Sequence, residues 1–242
     1  MPATSQPLAI FGDLYLGIWG LLIAGEEPRL ALAGLSTAPA GIALEPATLD
    51  REDDGAWALS AGAGVLTLEK AQASTATPGD GLPLEPLRVT GTATVAGEQR
   101  EIDIAGVLID PPADPKTESL RLVGSWFPAG HQVSLLSARA KGAKGQDKDR
   151  LDVVALGEDG AVVFDPRLST TYGADGDPRR AGIEIWIGAD PDGEQYPRRV
   201  AGVATGSSVS EQADGLRVSA HALRCLSRGE AGVGVYVLVA PA

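Results

Sequence analysis

The chain has one cysteine, Cys225, and two histidines, His131 and His221, in 242 residues. A lone cysteine excludes an intramolecular disulfide and any cysteine-based zinc cluster. Two histidines exclude a histidine-rich metal site, and a mixed site would have to draw both from distant strands. We therefore expect no metal and no cofactor. Basic charge is also scarce: Lys+Arg 20 against Asp+Glu 32 leaves a net charge of −12. Nucleic acid and anionic membrane surfaces repel such a chain and are excluded as main partners, and the acidity itself reads as solubility. No apolar run approaches the roughly 18–20 residues of a membrane span. The opening MPATSQP has no basic n-region and no long apolar core, so no secretion signal is visible and the expected location is cytoplasmic. Nucleophile elbow, phosphate-binding loop and dinucleotide fingerprint are all missing; GAGVL at 62–66 is glycine-rich but lacks the helix those motifs require. Helical periodicity is nearly absent, its best stretch being the short LEKAQAS at 68–74.

What the chain does have is punctuation, with 31 Gly and 17 Pro separating short apolar runs. Several runs alternate with period two: REIDIAGV at 100–107, IEIWI at 183–187 and LRVSAHAL at 216–223. VGVYVLV at 233–239 is nearly continuous and β-branched, the pattern of a strand buried on both faces. LDVVALGEDGAVVFDP at 151–166 reads as two strands of a hairpin around Glu-Asp-Gly. The fold class is all-β.

The chain also repeats itself. PLRVTGTAT (86–94) and PRRVAGVAT (197–205) agree at six of nine positions. GIALEPATL (41–49) matches GAVVFDPRL (160–168) with one inserted residue, each placing an acid and a proline beyond an apolar strand. LGIWG (16–20) and VGSWF (123–127) both contain Gly-x-Trp. Three matches in the same order point to an internal duplication. The expected units are 1–113 and 118–242, joined by a linker at 114–117 within the proline-rich DPPADPKTE (110–118). Six to eight short strands per unit must hide their edges, and closure into an antiparallel barrel does so most completely. A small barrel either fills its lumen with side chains or holds one small ligand.

Gly17-Ile18-Trp19 and Gly124-Ser125-Trp126 resemble the Gly-x-Trp of the first strand in lipocalin-like barrels. There the tryptophan closes the barrel floor, often under a late arginine, a place Arg224 or Arg228 could take in the second half and Arg100 in the first. Two such barrels resemble the duplicated lipocalin-like family of carotenoid hydratases, tocopherol cyclase-like proteins and natural-product cyclases. The resemblance implies a protein that binds a hydrophobic small molecule. If catalytic, it would be a cofactor-free cyclase, hydratase or isomerase of isoprenoid or natural-product metabolism. No acid–His–Trp cluster matching that family's motif is found, so a non-catalytic carrier, or an interaction module with filled barrels, stays open. A homo-oligomer is also left open.

Candidate residues follow from strand parity. Glu184 and Trp186 are i and i+2 and share a face. Inside a lumen, the indole would desolvate the acid and raise its pKa into proton-donor range; outside, Glu184 is one more surface acid. His131, in PAGHQVSLL, reads as a loop entering a strand and is a candidate acid or base at a barrel mouth, against a structural role. Asp13, Tyr15 and Trp19 share a parity with Phe11 and Gly17; both faces of that stretch are apolar, placing it between a lumen and the second unit, unless Gly12-Asp13 breaks the strand. His221 alternates with Arg217 and Ser219, on a solvated face or inside a lumen. Arg167 and Tyr172 lie in the polar stretch 164–182, a mouth-capping loop able to hold an acidic ligand group or an ordinary hairpin. The catalytic candidates are thus Glu184, His131 and Asp13, and the ligand-binding candidates Trp186, Tyr15, Trp19, Arg167 and Tyr172.

Overall fold

A computed structural model describes residues 6–52, 55–71, 75–76, 84–110, 116–144, 149–157, 162–188, 196–213 and 216–242. It is all-β, and no helix is long and apolar enough to cross a membrane. The first nine strands are β1 (Leu8–Asp13), β2 (Ile18–Ile23), β3 (Arg29–Gly34), β4 (Glu45–Arg51), β5 (Trp57–Ala61), β6 (Gly64–Lys70), β7 (Thr75–Ala76), β8 (Leu84–Val95) and β9 (Glu98–Ile109). All but β7 close into an antiparallel barrel through the β1–β9 pair, Leu8 opposite Ile109. The short LEKAQAS stretch contributes its first residues to β6, not to a helix, and residues 72–74 lie outside the described set.

The second unit comprises β10 (Thr117–Trp126), β11 (Gln132–Ala140), β12 (Arg150–Leu156), β13 (Val162–Tyr172), β14 (Pro178–Gly188), β15 (Tyr196–Ala213), β16 (Leu216–Ser227) and β17 (Glu230–Pro241). Its first and last strands also pair, Val123 opposite Tyr236, and its strands form an open, barrel-like sheet with β13 at one end. β12 and β13 are both strands, as expected over 151–166, but among the described residues they are not paired with each other, and the expected turn at 158–160 lies outside those residues. The free edge of β12 is taken by β7 from the other half, Val154 facing Ala76 and Ala155 facing Thr75. One unit thereby covers an edge of the other, which an open sheet needs.

The three sequence matches divide. Glu45-Pro46 and Asp165-Pro166 fall on β4 and β13, the fourth strand of each unit. Trp19 lies on a second strand and Trp126 on a first; PLRVTGTAT lies on a seventh strand, β8, and PRRVAGVAT on a sixth, β15. The repeated architecture is real, yet two of its three sequence signals do not mark equivalent strands. Both describe what any strand of this kind needs, a small residue followed by branched ones.

Three apolar layers result. The first lumen is packed by Phe11, Ile18, Leu22, Leu66, Val89 and Ile104, all buried. The second lumen is lined by Val123, Leu135, Val153, Ile183, Ile185 and Leu223. Between them lies a shared wall built from Ile10, Trp19, Leu21 and Val107 on one side and Leu122, Trp126, Leu136 and Val235 on the other. Strand β2 shows why its sequence has no polar face. Ile18 and Leu22 point into the lumen while Trp19, Leu21 and Ile23 point into the wall.

Both Gly-x-Trp tryptophans therefore sit in the wall and not on a barrel floor. Their glycines differ too. Gly17 is in the β1–β2 turn with φ +64, whereas Gly124 is inside β10, where an added Cβ would meet Trp126 Cη2 at 2.6 Å. Polar ties cross the wall: the Trp19 indole N–H donates to Ser207 Oγ (2.8 Å), and Gln132 Nε2 donates to the Gly106 carbonyl (3.1 Å). Arg29 and Glu211 form an ion pair between the units.

Candidate functional site

The two lumens differ in chemistry. Among the described residues every buried polar or charged side chain lies in the second unit. The second lumen is apolar toward the β10–β11 turn and polar toward its other end, and the register explains how. His221 faces Tyr236 across the β16–β17 ladder, and Tyr236 faces Val123 across β17–β10. Since Leu223 and Cys225 belong to the lumen cluster, the alternate positions His221 and Ser219 on the same strand face inward as well. One row further along, Arg121 pairs with Leu238 and Ser137.

At this polar end Arg121 is 5% exposed and donates to Ser137 Oγ at 2.9 Å and to Asp149, whose side chain is fully buried. Tyr236, also fully buried, hydrogen-bonds through its hydroxyl to Tyr172 Oη at 3.0 Å and lies 3.3 Å from Thr170 Oγ1. Tyr172 is 39% exposed, so this chain of hydroxyls runs from the interior to solvent. Arg217 donates from Nε to Ser210 Oγ (3.0 Å) and from Nη2 to Asp177 Oδ1 (3.0 Å). Asp177 closes the turn between β13 and β14, which lays the tip of that hairpin beside His221, Nε2 to Oδ1 being 3.8 Å. That separation is too long for a hydrogen bond.

Two buried atoms here have no hydrogen-bond partner among the described residues: His221 Nε2 and Asp149 Oδ1. Burial holds the His221 imidazole below its ordinary range; Asp177 opposes that shift, and Arg217 and Arg179 reinforce it. The ring is therefore neutral at neutral pH and able to accept a proton. Burial pushes the Tyr236 phenol well above its usual range, so it stays a donor. The Cys225 thiol, deeper in the lumen, is pushed up to about 12 by burial alone and is no nucleophile. Among the described residues no three of His, Cys, Asp and Glu converge closely enough to hold a metal ion.

The structure scatters the residues singled out in sequence. Glu184 and Trp186 share the outer face of β14, since Ile183 and Ile185 take the lumen side. Glu184 accepts from Arg199 Nε at 2.6 Å, and the Arg167 guanidinium stacks 4.7 Å from the Trp186 ring centre while pairing with Asp165 at 2.5 Å. Three candidates thus meet, but on the outside of the sheet. Asp13, Tyr15 and Trp19 do not share a strand face: β1 ends at Asp13, whose Oδ1 accepts from the Leu16 N–H at 2.7 Å and fixes the turn. Tyr15, in that turn, is 81% exposed. Arg100 does not lie over Trp19 as the lipocalin pattern implies but ties the same turn, Nη1 to the Leu16 carbonyl at 2.7 Å.

His131 is at the apolar end of the second unit, stacked on Phe127 with ring centres 4.3 Å apart and 3.3 Å from Glu230. Only Tyr172 belongs to the polar end. The stretch 164–182 is no long loop but mostly β13 and β14, with 173–177 as the turn between them. Arg121, Asp149, Asp177 and Tyr236 were not singled out, and His221 was weighed between two faces. The available signal was parity: His221, two residues from Leu223 and four from Cys225, lies on the same side of β16 as those apolar residues.

No family model matches the chain, and no curated protein matches it. Among solved structures it is similar to a Nitrosomonas europaea protein described as a "putative AttH", at 12% identity and a TM-score of 0.47 over 98% of this chain and 92% of that one. At that level the likeness bears on neither ligand nor activity.

Proposed function

We propose that the chain is a barrel-type binder of a small molecule and that its site is the polar end of the second lumen. The ligand this interior suits has an apolar body, to lie on Val123, Leu135, Val153 and Leu223, and a hydroxyl or carbonyl group at one end. The observation that carries the reading is the pair of unpartnered buried atoms, His221 Nε2 and Asp149 Oδ1, beside buried Tyr236 and Arg121. Leaving such a group unsatisfied costs about 1–3 kcal/mol, which a ligand hydroxyl would recover. Among the described residues the first unit has no comparable buried polar group.

A catalytic version of the same reading is favoured by one arrangement. A neutral His221 faces a Tyr236 whose hydroxyl chain reaches solvent through Tyr172. His221 taking a proton from a substrate carbon while Tyr236 gives one to the substrate oxygen would be a keto–enol isomerisation without cofactor; the phenolate is then reprotonated from solvent through Tyr172 and the imidazolium gives its proton back to solvent, which restores both groups. Titration with a panel of isoprenoid alcohols and ketones separates the versions. Binding that weakens tenfold or more in His221→Phe supports the site, and Tyr236→Phe that abolishes conversion while sparing affinity supports catalysis. Binding indifferent to both substitutions removes the interior site.

A further inference from the structure

A second feature lies outside both lumens, where the two units meet. A groove of about 410 Å³ is lined by Leu14, Leu35, Ala96, Ser36, Thr37 and Arg224. Its floor is the edge of the shared apolar wall, because Leu35 is 5% exposed and Leu14 packs on the same cluster. Its walls are pinned by backbone and side-chain bonds. The Leu35 N–H donates to the Gly17 carbonyl at 2.8 Å and Ser207 Oγ donates to the Gly34 carbonyl at 2.9 Å. Ser207 is in turn held by the Trp19 indole. A groove whose walls are fixed in this way is preformed, as small-molecule sites are.

The rim supplies the charge. Among the described residues nine arginines of this acidic protein hold a carboxylate within 4.0 Å: Arg29, Arg88, Arg100, Arg121, Arg150, Arg167, Arg179, Arg199 and Arg217. Exposed Arg224 makes no hydrogen bond or ion pair among the described residues; Arg51 and Arg180 also lack one, but neither lines the groove. Beside Arg224 on the outer face stand Val203, its ladder partner, and Leu226, 51% and 53% exposed. Tyr15 projects from the turn that carries Leu14 and Gly17. Val203 and Leu226 extend an exposed apolar surface beside the groove's arginine, and exposed apolar surface of this kind marks binding sites.

We propose that this groove binds an amphiphilic monoanion, its apolar body against Leu14 and Leu35 and its acidic head on the Arg224 guanidinium. The site is independent of the second lumen. The probe is 8-anilinonaphthalene-1-sulfonate, an aromatic body with one sulfonate, titrated by fluorescence. The expected result is saturable one-to-one binding that weakens at least tenfold in Arg224→Glu and in Ser36→Trp. Ser36 is exposed, so the indole fills the groove without disturbing the core. Arg180→Glu makes the same charge change on the same outer face and should bind like the parent, as should His221→Phe. The proposal is overturned if the parent does not bind, if Arg224→Glu and Ser36→Trp bind unchanged, or if Arg180→Glu loses as much as Arg224→Glu. Unchanged thermal melts of the variants separate lost binding from lost fold.

Discussion

Leu136→Ala tests whether the two units are one cooperative structure. Leu136 is fully buried on β11 and packs in the shared wall opposite Leu122, with residues of both units around it. Truncation removes three carbons from a site bounded by rigid strands on both sides, so little collapse is available. The expected cost is about 2–5 kcal/mol. For a chain of this size each kcal/mol moves the melting temperature by about 2–4 °C, giving a drop of roughly 4–20 °C by scanning calorimetry. Both units should shift together in one transition, because the wall is common and β7 pairs across to β12. Exposed Leu226→Ala should stay within about 0.5 kcal/mol. A cost below 1 kcal/mol, or two transitions of which one alone moves, would refute the shared wall as the structural centre.

Arg121→Met leaves the Asp149 carboxylate buried without its cation and should cost about 3–5 kcal/mol in urea unfolding, while Arg121→Met with Asp149→Leu recovers most of it; a single variant as stable as the parent would show that the pair is not buried as described. The pH dependence follows from His221. Its folded pKa lies below the ordinary value of about 6.5, so the unfolded chain binds the proton first; its contribution is fully present above that value and is lost as pH falls through the folded pKa. Urea midpoints should therefore decline from pH 7 to 5, above the range where carboxylates titrate, and His221→Phe should flatten that decline. An unchanged slope would mean that the imidazole is not desolvated.

Much of the fold was legible because β-structure writes itself in local alternation. The stretches at 100–107, 183–187 and 216–223 are all strands, and the apolar faces read over 11–22, though split by a turn, do mark a wall between units. What could not be read is what alternation leaves undetermined, namely which face is inside. Glu184 and His221 occupy the same kind of position, polar residues alternating with apolar ones. Glu184 faces out because Ile183 and Ile185 fill the lumen, whereas His221 faces in because Ala220 and Ala222 are needed against the wall. Tyr236 was hidden for a related reason: in a strand buried on both faces it reads as one more large apolar residue. Arg121, between Leu120 and Leu122, looks like a solvent-facing position until both leucines are seen to face the wall. The pairing of β12 with β7 is non-local, and no turn signal at 157–160 could report it.

The most direct test of the ligand site is native mass spectrometry of the protein purified from its own host, run in parallel on His221→Phe and Arg224→Glu. A one-to-one small-molecule adduct that is kept by Arg224→Glu and lost by His221→Phe is the predicted result. An adduct that survives both His221→Phe and Arg224→Glu, or a bare chain mass before and after incubation with isoprenoid alcohols and ketones, would contradict the second lumen as the binding site.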